Sequence, residues 1–220
     1  MGKIDFLTGS WTVDEVESKV SGKITVIKSF AFGTYLSAGN LTQSGGVVYD
    51  VWRSTLKKVK GKRQEIKDCL ILGLGGGSAA KLVRKFWTEA KIIGVDLDPV
   101  MIDLGKKYLG LDKLGVDIKI GDAVDFVKKS QIQNPESKLK YDLILVDLYV
   151  GDEFPEKFET EVFLKLILKL LTDGGIVVFN RLYYGEKRSQ AMRFLKTLEK
   201  VYKKVDVVYP EANIMFVCEK

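Results

Sequence analysis

Residues 68–98 read DCLILGLGGGSAAKLVRKFWTEAKIIGVDLD, and this stretch decides the fold. It opens with an apolar run of strand length, Cys69–Leu72, and passes into Gly73-Leu74-Gly75-Gly76-Gly77-Ser78. Ala79, Leu82, Val83 and Phe86 follow at helical spacing, and a second apolar run, Ile92–Val95, ends on Asp96. Strand, glycine loop, helix and strand in this order form the first unit of an open α/β sheet. Glycines without side chains let backbone N–H groups approach a ligand at the helix start, although a tight strand–helix turn alone also uses glycine. Asp96, nineteen residues beyond Gly77, adds a second signal, because an acid at the tip of the next strand accepts hydrogen bonds from ribose hydroxyls.

The same rhythm continues outward. Asp117–Ile120, Leu143–Val146 and Ile176–Phe179 are further candidate strands, and short apolar runs of this kind suit strands buried on both faces. Phe158, Val162, Leu166 and Leu170 are expected to share one helix face, and Ala191, Phe194, Leu198 and Val201 another. Gly174-Gly175 is expected to end the fourth helix and admit the fifth strand. Val205–Tyr209 and Ile214–Cys218, around Pro210, suggest two closing strands, the last antiparallel. From residue 20 to about 52 the pattern is short and alternating, punctuated by Gly33, Gly39-Asn40 and Gly45-Gly46, which reads as an antiparallel β unit. The charged stretch Lys57–Lys67 separates the two patterns. The expected organisation is a small β-hairpin domain over 1–56 and a doubly wound, Rossmann-like, mostly parallel domain over 57–220.

Two more acids follow strands: Asp122 in Gly121-Asp122-Ala123 and Asp147 after Leu143–Val146. Ligands of open α/β sheets lie beyond the carboxyl ends of the strands, so Asp96, Asp122 and Asp147 are expected to face one crevice. A single acid there often serves only as a helix cap; three in register, with the glycines, favour a site. Gly75-x-Gly77-x-x-Ala80 also satisfies a loose dinucleotide pattern. A crevice lined by carboxylates repels a diphosphate and attracts a sulfonium, which favours S-adenosylmethionine or a close relative over NAD.

Composition narrows the chemistry. The 220 residues contain no histidine, which excludes histidine acid–base catalysis, Ser-His-Asp triads and the commonest metal ligand. Cys69 and Cys218 lie in separate apolar runs and read as buried free thiols; no metal is expected. A formal charge of +6 invites a nucleic-acid reading. Its clusters, Lys57–Lys62, Lys128–Lys140 and Lys200–Lys204, are scattered and lack interleaved aromatics, so solvated faces are expected instead. No apolar run approaches the length of a membrane span, and residues 1–20, with Asp5, Asp14, Glu15 and Glu17, do not resemble a secretory signal; a cytoplasmic protein is expected. There is no internal repeat or low-complexity segment.

These residues resemble the spermidine synthases, or polyamine aminopropyltransferases, over roughly residues 20–220, and the resemblance implies a Rossmann-like fold of the class I methyltransferase type. Phe32-Gly33-Thr34-Tyr35-Leu36 through Leu41-Thr42-Gln43 is similar to the family's hairpin ending in a nucleoside-contacting glutamine. Tyr49 falls where a substrate-site tyrosine is expected. Gly94-Val95-Asp96-Leu97-Asp98-Pro99 resembles the acid-x-Asp-Pro motif that holds the ribose, and Gly121-Asp122-Ala123 the adenine-binding turn. Tyr141–Asp147 resembles the strand that delivers the catalytic aspartate, and Tyr209-Pro210 the start of the amine-pocket motif. The departures cluster on the acceptor and the transferred chain. Ser78 stands where the family has an aspartate for the aminopropyl amine, and Asp50 where it has a histidine. Asp147-Leu148-Tyr149-Val150-Gly151-Asp152 replaces Asp-Ser-Ser-Asp-Pro, and Ile214 replaces an indole.

The resemblance implies a transferase in which an amine attacks the carbon beside the sulfonium of decarboxylated S-adenosylmethionine, a co-substrate, with Asp147 as base. Gln43, Gly73, Gly75, Gly77, Ser78, Asp96, Leu97, Asp122 and Ala123 would hold the nucleoside. Tyr49, Asp50, Tyr149, Asp152 and Tyr209 would form the pocket of a small-molecule amine. Two alternatives stand beside it: methyl transfer from S-adenosylmethionine itself, which Ser78 favours by removing a negative charge, and a nucleoside-binding protein without catalysis. The exposed hairpin domain offers an edge of the kind homodimers cover.

Overall fold

The computed structural model describes residues 9–39, 41–132 and 140–220. Asp5, the Asn40 of the Gly39-Asn40 turn, and residues 133–139 of the basic cluster Lys128–Lys140 lie outside the described residues. Four strands, β1 (Ser10–Ser18), β2 (Gly22–Ser29), β3 (Gly33–Ala38) and β4 (Leu41–Gly45), form an antiparallel sheet in sequence order. Helix α1 (Gly46–Lys62) leads from it to β5 (Asp68–Leu72), α2 (Ser78–Phe86), β6 (Lys91–Asp96), α3 (Pro99–Leu104), β7 (Val116–Ile120) and α4 (Ala123–Ile132). Then come β8 (Tyr141–Val146), α5 (Glu161–Leu170), β9 (Leu171–Leu182), α6 (Lys187–Glu199), β10 (Lys204–Val208) and β11 (Asn213–Glu219).

The larger sheet has seven strands in the order β10-β11-β9-β8-β5-β6-β7. β5 through β9 pair in parallel, and β11 runs antiparallel to both β9 and β10. The order reverses at β5, which lies between β6 and β8, and a crevice opens beyond the carboxyl ends of strands at such a switch point. Alternate residues of each central strand enter opposite cores. Leu70, Leu72, Ile144 and Val146 pack under α4, α5 and α6, while Cys69, Ile71, Leu143 and Leu145 pack under α1 and α2. Both cysteines are buried and free. Among the described residues no helix is long and apolar enough to cross a membrane.

Three local expectations are corrected. The alternating β pattern ends at Gly45, and residues 46–62 are helical. Gly45 has φ 76°, and a Cβ there would lie 2.5 Å from the Thr34 carbonyl oxygen, so only glycine lets the chain leave β4 at this point. Val51, Trp52, Thr55, Leu56 and Val59 then share one buried face, and packing of that stripe overrides the strand propensity of the valines. Residues 56 and 57 both lie within α1. In α5, Phe163, Leu164, Ile167 and Leu170 form the stripe that faces the core, which leaves Val162 69% exposed, and Phe158 precedes the helix, whose start Thr160 caps. That helix ends at Leu170, before Gly174-Gly175, which lie within β9.

The small sheet covers the site end of the larger one. Ile24, Val26, Leu36 and Ala38 pack against Met101 and Leu104 of α3, and Ser18 Oγ donates to Asp98 Oδ2 at 2.7 Å.

Candidate active site

Four strand ends build the crevice. After β5 the chain turns at Gly73, with φ 84°, where a Cβ would sit 2.0 Å from the carbonyl oxygen of Asp147. The β5 and β8 ends thus touch through backbone, and Asp147 N donates to Leu72 O at 2.8 Å. Gly75 N donates to Asp96 Oδ2 at 2.7 Å and Asp98 N to Asp96 Oδ1 at 2.9 Å, so the acid at the end of β6 is fixed to the glycine loop. Burial pushes the Asp96 carboxyl above the usual range, against the pull of backbone donors from Asp98, Gly75 and Leu97. The carboxylate lines the cavity, where its remaining acceptor capacity can meet a ligand hydroxyl.

Asp147 is set differently. Trp52 Nε1 of α1 donates to its Oδ2 at 2.9 Å, and Asn180 Nδ2 of β9 to its Oδ1 at 2.8 Å. Both donors are neutral. Burial raises its pKa, with a further push from the Asp96 charge, and the two hydrogen bonds oppose that rise without cancelling it. Asn213 Nδ2 donates to Asn180 Oδ1 at 2.7 Å and thereby orients the amide.

Asp122 caps α4: its Oδ1 accepts from Val124 N at 2.8 Å, and its Oδ2 pairs with Lys157 at 2.5 Å. Burial opposes its ionisation, but the lysine and the cap outweigh it, and the pKa is lowered. Ser78 Oγ accepts from Gly45 N at 2.7 Å and meets Ser44 Oγ at 2.9 Å, tying β4 to the start of α2. The segment after β8 is held by Tyr149, whose hydroxyl accepts from Leu182 N at 2.8 Å, and by the Arg181–Glu159 ion pair at 2.5 Å.

A cavity of about 250 Å³ runs through this arrangement, and a smaller one of about 80 Å³ adjoins it beside Asp122. Gln43, Gly73, Gly75, Ser78, Asp96, Leu97, Asp147 and Tyr149 line the larger. Leu97 and Tyr149 also reach the smaller, with Asp122 and Ala123. Gly77 lines neither; with φ 93° it turns the chain into α2. Tyr49, Asp50, Asp152 and Tyr209 also stand outside both linings. Tyr49 packs on the core under α1, Asp50 pairs with Arg53 at 2.8 Å, Asp152 faces Lys187 at 3.5 Å, and Tyr209 packs against Tyr183 at the surface with the two rings tilted. Residues that sequence reasoning missed take their place: Trp52, Asn180, Tyr184, Glu211 and Asn213. The larger lining contains four carboxylates, Asp96, Asp98, Asp147 and Glu211, and among the described residues no lysine or arginine.

The open backbone of the glycine loop, with an acid fixed to it, is compatible with an adenosyl group, and the anionic lining with a sulfonium. A spermine/spermidine synthase domain matches residues 52–216. The chain belongs to this family. The matched span begins on α1 and contains all seven strands of the larger sheet up to the middle of β11. A polyamine aminopropyltransferase of Vibrio vulnificus is 31% identical over 112 residues, covering 50% of this chain and 36% of that protein. The eEF1A lysine and N-terminal methyltransferase of Bos taurus is 26% identical over 118 residues, covering 50% of this chain and 17% of that protein. The chain thus spans well under half the length of these two relatives. In fold it is similar to the spermidine synthase of Thermotoga maritima, with a TM-score of 0.78 at 18% identity, over 95% of this chain and 72% of that one.

Proposed function

We propose that this protein transfers an aminopropyl group from decarboxylated S-adenosylmethionine to a small amine. The observation that carries the proposal is the lining of the larger cavity, which holds four carboxylates and, among the described residues, no cationic side chain. Such a lining attracts a sulfonium, a primary ammonium and an amine acceptor, and it offers no charged partner to the carboxylate of intact S-adenosylmethionine. Asp96 and Leu97 take the ribose, Asp122 and Ala123 the adenine, and Gln43, Gly73, Gly75 and Ser78 the rest of the nucleoside. The acceptor nitrogen attacks the carbon beside sulfur, the C–S bond breaks, neutral methylthioadenosine leaves, and Asp147 accepts the proton released as the C–N bond forms. A carboxyl raised by burial is a better base than one in water. Glu211, at the acceptor end, takes the role that sequence reasoning gave to Asp50 and Asp152, both of which are engaged with cations. We set the division between the small β unit and the catalytic domain at Gly45-Gly46, because α1 packs into the core of the larger sheet.

The test is release of methylthioadenosine on incubation with decarboxylated S-adenosylmethionine and a panel of amines. Amine-dependent release is expected; its absence with every amine sinks the proposal. A second reading, methyl transfer from intact S-adenosylmethionine, is favoured by one observation. Ser78, with its hydroxyl tied to Gly45 N and Ser44, supplies no carboxylate for the aminopropyl amine. Under it, S-adenosylhomocysteine would be released instead.

A further inference from the structure

We propose that Trp52 and Asn180, backed by Asn213, are positioning residues that fix the Asp147 carboxylate in one orientation and leave its remaining lone pairs for the acceptor amine. The proposal rests on the assignment of Asp147 as base. Each carboxylate oxygen receives one neutral donor, at 2.9 Å and 2.8 Å, from a different element: α1 for Trp52, β9 for Asn180. Neither element belongs to the glycine loop or the nucleoside-facing acids. Strand register explains the Asn180 contact, because Val146 pairs with Phe179 and the next residue of each chain segment therefore lies side by side at the carboxyl end of β8. Asn213, which pairs across from Leu182 on the antiparallel β11, fixes the Asn180 amide by donating to its oxygen, so Nδ2 is the atom turned toward Asp147. Trp52 is fully buried and its ring cannot swing away. With both donors in place, the carboxylate has no freedom to rotate its oxygens between the acceptor and the protein.

The choice of neutral donors has a chemical consequence. A lysine or arginine here would hold Asp147 ionised at the cost of its basicity and would repel an ammonium. An indole and an amide orient it without adding charge. The titratable groups facing Asp147 are Asp96 at the end of β6 and Tyr149 two residues on; Asp96 adds a like charge, and Tyr149 is neutral, its hydroxyl pushed up by burial.

The experiment titrates the Asp147 carboxyl carbon by NMR in the full chain, its signal assigned by loss in Asp147→Asn, alongside the pH profile of kcat with decarboxylated S-adenosylmethionine and a diamine. Trp52→Phe keeps most of the ring and Asn180→Leu most of the volume, while each removes one donor to the ionised form. Each is expected to raise the Asp147 pKa and move the acid limb upward by about one to two pH units, the worth of one hydrogen bond to a charge. kcat should fall about tenfold or more, with KM for the nucleoside unchanged. The two substitutions act on separate elements, so a folding failure in one leaves the other to decide. Titrations and profiles that superpose on the wild type overturn the positioning role. If Asp147→Asn retains the wild-type rate, the base assignment falls, and the inference with it. If it loses the rate while neither profile moves, only the positioning falls.

Discussion

Strand β8 carries a carboxylate near each end, and their surroundings are opposite. Asp142, at the amino end, pairs with Arg63 at 2.5 Å and accepts from Thr172 Oγ1 and the Lys67 and Asp68 backbone N–H groups. Burial works against its ionisation, but the backbone donors, threonine and arginine outweigh it and hold its pKa below the usual range. Asp147, one residue beyond the carboxyl end, has two neutral donors and, among the described residues, no cation paired with it, and its pKa is raised. One acid closes the bottom of the sheet as a satisfied ion pair; the other is kept at the top in a state that costs stability when ionised. Sites that must move protons are placed where the fold leaves a charge underpaid.

Substitutions at the two ends should separate rate from stability. The largest effect is expected of Asp147→Asn, which should lower kcat by roughly 10²–10⁴-fold, the usual worth of a positioned base, while the unfolding free energy stays within about 1 kcal/mol of wild type. Steady-state kinetics with a urea melt checks both; an Asn variant that unfolds would break the contrast. Asp142→Ala should do the reverse. Removing one partner from a largely buried pair should cost about 2–3 kcal/mol, reduced from the fully buried case because Arg63 is partly in solvent, and leave kcat per folded molecule unchanged.

The pH dependence of stability sharpens the same contrast. Asp142, with its folded pKa lowered, contributes stability above its unfolded value near 3.8, and that contribution is lost as pH falls through the folded value. Asp147, with its folded pKa raised, contributes most below the unfolded value and loses that contribution as pH rises through the folded one. Urea midpoints measured from pH 3 to 7 should therefore show a flatter acid side in Asp142→Asn and a smaller decline toward neutrality in Asp147→Asn. The smallest effect is expected at Glu211, an exposed group at the cavity mouth. Glu211→Gln should raise KM for a diamine by about two- to fivefold, leaving kcat and the KM of a monoamine unchanged, in keeping with an exposed ion pair.

The two ends of β8 also show what was legible in the sequence. Its six residues are all buried, so the run Leu143–Val146 announces a central strand, and its register with β5 follows from the parallel pattern. The glycine loop and Asp96 were legible because their spacing reflects contacts within one strand–helix–strand unit, as in Gly75 N to Asp96. Trp52 and Asn180 reach Asp147 from 95 and 33 residues away, and no local spacing encodes such meetings. Trp52 was hidden further because Val47-Val48-Tyr49 reads as strand, whereas a wider window would have exposed the stripe Val51, Trp52, Thr55, Leu56 and Val59. Asn180 left one signal, a polar residue closing the apolar run Ile176–Phe179 at the level where the neighbouring strand ends in an acid.

A cavity lined by carboxylates should favour the co-substrate that lacks one of its own. Titration calorimetry of the full chain with decarboxylated and intact S-adenosylmethionine tests it most directly. At least tenfold tighter binding of the decarboxylated form is predicted, and equal or tighter binding of the intact form would contradict it.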